Sequence, residues 1–167
     1  VCVVRSCTCA PAVPATEVLV STSVSPSAYV RAAWNGTHAL LVWSDGGGLG
    51  TRLLNEDGSP AGPVVRIPST SSNPDVIWTG SEWGVAWAGF NPGLQRLAPD
   101  GSLIGASIPT FTGGASIARL AFTPALGYVV FLGASPDLFM RVLGPTGTTP
   151  LVARTLPRPP GIGCCPD

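Results

Sequence analysis

One ten-residue pattern occurs three times in this sequence, at a constant spacing of 44 residues. The copies are Trp34–Trp43, Trp78–Trp87 and Phe122–Phe131. Each copy opens on an aromatic residue, continues through a turn and an apolar run, and closes on a second aromatic residue. A fixed period of 20–50 residues is the signature of a repeat architecture, in which each repeat is one supersecondary unit. The chain is therefore expected to fold as three similar units.

Each unit has the pattern of four short β-strands. Asn35-Gly36, Asp57-Gly58 and Asp100-Gly101 are hairpin or turn signals between apolar runs. The second strand of each unit lacks strict alternation, which indicates a strand that is buried on both faces. We find no 3.6-residue helical period. The sequence thus predicts an all-β protein of three four-stranded repeats, with an extra strand at Glu17–Ser21.

These units divide the chain into a central domain and two tails. Residues 1–15 form a Cys- and Pro-containing tail, residues 16–156 the three-repeat domain, and residues 157–167 a Pro-rich tail that ends in a Cys pair. The repeats are expected at about 25–68, 69–109 and 110–156.

The repeated pattern W-x-G…W, followed by an Arg-containing strand and a D-G turn, resembles the propeller-type repeats of large secreted bacterial proteins. The resemblance covers about residues 17–156. It implies β-propeller blades, and it departs from the family in repeat three, where Pro124 replaces Gly80 and Thr146-Gly147 replaces the D-G turn. Such repeats occur in adhesins, lectin-like domains and surface assemblies, so the resemblance indicates architecture rather than activity.

Three blades are fewer than the 4–8 of a closed propeller. The apolar faces at the two ends of the row must therefore be covered, and three arrangements would do this. Two copies could close a six-bladed ring, copies could stack end to end, or one chain could form a compact body with its tails over the ends.

The composition narrows the possible partners. Formal net charge is zero, charged residues are 11 % of the chain, and all nine basic residues are Arg. Without a basic field we expect no nucleic-acid partner, and without Lys no Schiff-base chemistry. No apolar run approaches the ~20 residues of a membrane span. A surface with so little charge favours association, which predicts a homo-oligomer or filament.

The five cysteines lie only at the two ends, at Cys2, Cys7, Cys9, Cys164 and Cys165. This placement favours disulfides in an oxidising compartment, hence a secreted or cell-surface protein. The spacing does not match paired zinc knuckles, and we expect neither a metal nor a cofactor. Adjacent Cys164 and Cys165 should each reach a different partner in the N-terminal cluster, which leaves one thiol to stay free or to pair with another copy.

Candidate ligand contacts come from the repeat positions. Arg52, Arg96 and Arg141 stand at matching places on the third strands and could form a surface for carboxylates or sulfated sugars. The favoured alternative is that each lies on a solvent face with its stem over apolar neighbours. The bracketing aromatic residues are expected in the core. Trp83 differs, because its counterparts at the 44-residue spacing are Ala39 and Gly127, and it is the best candidate for an exposed contact.

Nothing in the sequence indicates an enzyme. His38 is the one histidine, and no nucleophile, base or metal set clusters or recurs. The sequence favours a non-enzymatic extracellular structural module that self-associates as a filament or surface assembly, with a carbohydrate-binding lectin-like domain as the alternative.

Overall fold

A computed structural model describes residues 19–20, 27–69, 72–147 and 150–156. The described residues contain twelve β-strands and no helix. The strands are β1 Ala28–Trp34, β2 Ala39–Asp45, β3 Gly48–Leu54, β4 Val65–Ile67, β5 Ser72–Trp78, β6 Trp83–Ala88, β7 Gly93–Leu97, β8 Leu103–Pro109, β9 Ile117–Thr123, β10 Gly127–Ala134, β11 Asp137–Leu143 and β12 Pro150–Leu156.

The strands form three four-stranded antiparallel sheets in sequence order. Sheet 1 contains β1–β4, sheet 2 contains β5–β8 and sheet 3 contains β9–β12. The prediction of an all-β chain with three four-stranded units is confirmed. Of the extra strand expected at Glu17–Ser21, the structure describes Leu19 and Val20 alone, and these two residues are not in a strand.

Turn chemistry explains why the chain reverses where it does. After β1, the Asn35 side-chain oxygen accepts hydrogen bonds from the amides of Thr37 (2.9 Å) and His38 (2.7 Å). Gly36 supplies the positive φ that this turn requires. Asp57 and Asp100 act in the same way on the amides two residues after them. These acids are therefore turn formers, as the sequence predicted.

Sheet 2 lies between the other two sheets. β1, β2 and β3 contact β5, while β9 contacts β5 and β6. One apolar cluster fills the space between sheets 1 and 2, and a second fills the space between sheets 2 and 3. Every residue of β6 is buried, so the apolar run without alternation has the two-sided burial expected for it.

The two faces of β6 carry different side chains. Trp83, Val85 and Trp87 face sheet 1, whereas Gly84 and the alanines face sheet 3. Gly84 leaves room for a large partner, because a β-carbon there would lie 2.5 Å from the Tyr128 ring. Large residues on one face and small ones on the other fit a sheet with two different neighbours.

The first hairpin of sheet 3 has a different register. Trp34 pairs with Ala39 and Trp78 pairs with Trp83, each across four intervening residues. In sheet 3, Phe122 pairs with Tyr128 across five. One extra residue moves every following side chain to the opposite face. By position in the sheet, the counterpart of Trp83 is therefore Tyr128 rather than Gly127.

Gly93 provides a test of this packing. A β-carbon at Gly93 would overlap the ring of Trp87, its cross-strand neighbour. We expect Gly93→Ala to lower the free energy of unfolding by about 2 kcal/mol, because the indole would have to move within a filled core. Gly62→Ala is the matched control, since a β-carbon there meets nothing within 4 Å. Equal urea midpoints for the two variants would contradict the packing described here.

Candidate functional site

The sequence-predicted contact Trp83 is part of the core. Its exposed fraction is 0 %, and its ring centroid lies 4.7 Å from that of Trp78. The candidate for an exposed contact is therefore a core residue, because its position faces the neighbouring sheet and is aromatic in sheets 2 and 3. The opposite correction applies to Trp34, which was expected in the core and is 48 % exposed.

The three candidate arginines do not occupy equivalent places. Arg52 pairs with Leu41 on the face of sheet 1 that points away from sheet 2. Arg141 pairs with Val130 on the face of sheet 3 that points towards sheet 2. Arg96 pairs with Gly84 on the face of sheet 2 that points towards sheet 3. The prediction that the three arginines occupy equivalent positions is therefore wrong, and they do not share one face.

Arg52 and Arg96 each bind a group of this chain. Arg52 donates to the carbonyl oxygens of Gly62 (2.9 Å) and Val20 (3.1 Å), so it holds Val20 against sheet 1. Arg96 makes a two-point ion pair with Glu82, Nε to Oε1 at 2.7 Å and Nη2 to Oε2 at 2.6 Å.

The Glu82–Arg96 pair is the centre of a polar cluster between sheets 2 and 3. The Tyr128 hydroxyl donates to Glu82 Oε1 at 2.6 Å, and Arg96 also donates to the Thr146 carbonyl at 2.8 Å. Glu82 and Arg96 side chains are 13 % and 20 % exposed. Two Arg96 nitrogens and the Tyr128 hydroxyl donate to the Glu82 carboxylate, and a third Arg96 nitrogen donates to Thr146, so the cluster joins sheets 2 and 3.

The pKa values agree with this structural role. Burial alone would raise the pKa of Glu82, but the hydrogen bonds from Arg96 and Tyr128 outweigh it and hold the pKa below its usual 4.5. Burial, with the Glu82 carboxylate beside it, raises the pKa of the Tyr128 hydroxyl above its ordinary value. The carboxylate therefore stays ionised and the phenol stays protonated over a wide pH range.

A second ion pair lies on the face of sheet 1 that points away from sheet 2. Arg66 Nη1 lies 2.8 Å from both oxygens of Asp45, which also accepts from the indole N–H of Trp43 at 3.1 Å. The hydrogen bond from Arg66 is the main cause that lowers the pKa of Asp45 to about 2. Asp45 also accepts from the Gly47 amide at 2.8 Å, so it anchors the turn between β2 and β3.

The two outward faces of the row of sheets are partly apolar. We call the side of sheet 1 that points away from sheet 2 the first end face. Its register places Ala32 beside Leu41 and Trp34 beside Ala39, and Ala32 and Trp34 are exposed. The side of sheet 3 that points away from sheet 2 is the second end face. There Arg119, Phe131, Met140 and Arg154 lie opposite one another in one row across the four strands.

The second end face also carries exposed apolar side chains. Ile117 is 48 % exposed and Leu138 is 43 % exposed. Phe131, which was expected in the core as the counterpart of Trp87, lies half-buried on this face because of the shifted register.

A cleft of about 870 Å³ opens where sheets 1 and 2 meet, beside the β6–β7 turn. Its lining includes Trp87, Ile108, Phe111 and three prolines, Pro68, Pro92 and Pro109. The Trp87 indole N–H is fixed by the Asn91 carbonyl at 2.9 Å. The cleft was not foreseen from the sequence. Its one local signal is the run of Pro, Gly and Asn at the β6–β7 turn and after β8, which marks loops without showing that they converge.

Several predicted features lie outside the described residues. They are Cys2, Cys7, Cys9, Cys164 and Cys165, together with both tails. The disulfides and the extracellular location drawn from them stay predictions. Within the described part of the chain, no group of three or more His, Cys, Asp or Glu side chains is placed to hold a metal ion. The same part contains no helix long and apolar enough to cross a membrane.

The class that this geometry defines is an all-β protein of three packed four-stranded antiparallel sheets. The fold is similar to the crystal structure of a protein of unknown function from Bacteroides caccae, with a TM-score of 0.53 and 16 % sequence identity. The superposition covers 74 % of this chain and 44 % of that chain, so this chain spans less than half of that protein's length. No protein-family model and no curated protein match the sequence.

Proposed function

We propose that this chain is a non-enzymatic, extracellular structural module that self-associates, and that its three sheets are propeller-like blades. The observation that carries the proposal is the contrast between sheet 2 and its neighbours. Both faces of sheet 2 are covered by apolar packing, whereas sheets 1 and 3 each leave the face that points away from sheet 2 with exposed apolar residues.

The two end faces match the two opposite surfaces that meet wherever one sheet of this chain packs on the next. The first end face corresponds to the side of sheet 2 that packs on sheet 1, and Trp34 takes the position that Trp78 has there. The second end face corresponds to the opposite side of sheet 2. A second copy placed with its sheet 1 on this chain's sheet 3 would repeat the stacking seen within the chain. Such head-to-tail contacts form a ring or an open stack, depending on the rotation between copies.

Two features support association over catalysis. The formal net charge is zero, so like charges do not keep copies apart. The Glu82 and Asp45 carboxylates are held in ion pairs. The alternative of a carbohydrate-binding domain stays a prediction, but Trp83 cannot contribute to it because the residue is buried.

The test uses one glutamate on each end face. We expect Trp34→Glu or Ile117→Glu to weaken self-association at least about thirtyfold, because each places a charge in an apolar contact. Sedimentation velocity over a concentration series, with and without reductant, measures this. Equimolar Trp34→Glu and Ile117→Glu chains should form one heterodimer and nothing longer, because each supplies the face that the other lacks.

Leu126→Glu is the control, since Leu126 is 50 % exposed at the β9–β10 turn and away from both end faces. A wild-type chain that stays monomeric at high concentration would exclude the proposal. Association that Leu126→Glu weakens as much as Trp34→Glu would exclude these faces as the interface.

A further inference from the structure

One contact recurs each time a sheet of this chain packs on the next. The turn between the third and fourth strands of the later sheet lies against the outer two strands of the earlier sheet. In sheet 2 this turn contains Gly101, where a β-carbon would lie 3.3 Å from Leu53, and Gly101 lines a small hollow together with Val65. In sheet 3 it contains Gly147, where a β-carbon would lie 3.1 Å from Ile108. The chain therefore shows twice where such a turn docks.

The matching turn of sheet 1, between β3 and β4, is exposed and acidic. The amides of Gly58, Gly101 and Gly147 each donate to the carbonyl three residues earlier, so the three turns are equivalent. A β-carbon at Gly58 would meet nothing within 4 Å, unlike one at either counterpart. Glu56 and Asp57 come directly before this glycine, and both are exposed. The turn that is left undocked in the described part of the chain thus presents two carboxylates.

The position on which such a turn docks can be followed from sheet to sheet. Arg31, Asp75 and Arg119 recur every 44 residues on the first strands. Directly paired residues run from each of them across the sheet, on the face that points to the next sheet. These rows end on the fourth strands at Val65, Ile108 and Arg154. The second end face therefore has an arginine where the two internal contacts have an apolar residue.

The charges of the undocked turn and of this position are complementary. Arg154 is exposed and belongs to no ion pair among the residues that the structure describes. Glu56 and Asp57 likewise have no cationic partner among them. A guanidinium and carboxylates pair strongly when they are brought together. Opposite charges on the two halves of a contact determine its register and its partner.

We propose that Arg154 on the second end face of one copy pairs with Glu56 and Asp57 in the β3–β4 turn of the next copy. The turn docks on the fourth strand as the turns of sheets 2 and 3 do within the chain. This inference rests on the self-association proposed above and assigns its order. The contact is head to tail, because two second end faces brought together would place arginines against arginines.

The test exchanges the charges. Arg154→Glu should weaken self-association about tenfold, because like charges would then meet at the turn. Glu56→Arg combined with Asp57→Asn should have the same effect, since asparagine still accepts from the Ser59 amide and keeps the turn. An equimolar mixture of the two variants should associate within about threefold of wild type, because each contact of an alternating assembly again joins opposite charges.

Sedimentation velocity at low and high salt measures these effects, after circular dichroism has shown that each variant folds. Wild-type association should weaken as salt is added. Arg154→Gln, which only removes the charge, should weaken association about threefold at low salt and reduce this salt dependence.

Thr155→Glu and Asp100→Asn are the matched controls. Thr155 is exposed beside Arg154 but pairs with Phe139 on the face that points towards sheet 2. Asp100 is the matching acid in the turn of sheet 2, which already docks within the chain. Neither control should change association more than about twofold. Association that both charge variants leave unchanged, or a mixture no stronger than its parts, would overturn this ion pair and leave self-association standing. A wild-type chain that stays monomeric would overturn both.

Discussion

Replacing Trp83 by alanine should lower the free energy of unfolding by about 3–5 kcal/mol, which is the usual range for deleting a buried aromatic side chain. The residue is fully buried and is part of the cluster that joins sheets 1 and 2. Its loss would open a cavity beside Trp78, which packs on it at 4.7 Å. Urea titration followed by tryptophan fluorescence and by circular dichroism measures the change.

Trp34→Ala is the matched control, because Trp34 has the position of Trp78 in its own sheet but is 48 % exposed. We expect that variant to lose about 1 kcal/mol or less as a monomer, since most of the side chain's apolar area stays in water. If Trp83→Ala cost no more than Trp34→Ala, the packing between sheets 1 and 2 would be wrong. A fall in ligand binding at unchanged stability would instead restore Trp83 as an exposed contact.

The 44-residue period was sufficient to predict the fold class and the number of strands. Turn residues explain this success: Asn35-Gly36 and Asp100-Gly101 form turns in any sheet, because the Asn35 and Asp100 side-chain oxygens accept from amides two or three residues further on. The resulting hairpins are local, so their positions do not depend on how the sheets pack. The prediction therefore held for the elements, from β1 to β12.

The faces of the strands could not be predicted in the same way. A spacing of 44 residues aligns Trp83 with Gly127, but the first hairpin of sheet 3 carries one more residue, which makes Tyr128 the counterpart. Because side chains alternate across a strand, one residue changes core into surface. A one-residue difference also separates Arg96 from Arg52. Arg52 pairs with Leu41, and the residue of sheet 2 that pairs with the matching Val85 is Gln95. Turn residues determine where a strand begins, whereas its register depends on how it pairs with the neighbouring strand.

The polar cluster and the cleft depend on contacts between sheets. Glu82 and Tyr128 are 46 residues apart in sequence, and their 2.6 Å hydrogen bond exists because sheets 2 and 3 pack face to face. The cleft likewise joins the end of β4 to the turn after β6 and the segment after β8. A local sequence pattern does not contain the distances between sheets, so the loop residues at the cleft mark turns without showing that they meet.

The Glu82 cluster leads to a prediction about pH. Glu82→Gln should lower the free energy of unfolding at neutral pH by about 3 kcal/mol, the lower end of the range for breaking a buried ion pair, because Glu82 and Arg96 keep some solvent contact. Tyr128→Phe, which removes one neutral donor and leaves the ion pair, should cost about 1 kcal/mol. Urea titrations of the three proteins at several pH values measure both effects.

The sign of the pH dependence follows from the pKa of Glu82, which lies below its usual 4.5 in the folded chain. The carboxylate therefore contributes stability above pH 4.5, and this contribution is lost as the pH falls through the folded-state pKa. Asp45, with a pKa of about 2, also loses its contribution in acid, but it does so equally in wild type and variant. The difference between wild type and Glu82→Gln should thus be constant near neutrality and shrink as the pH falls below 4.5 and through the folded-state pKa. A difference that stayed the same throughout the acid range in which both proteins fold would mean that Glu82 acts through its shape and hydrogen bonds, and that its charge does not join sheets 2 and 3.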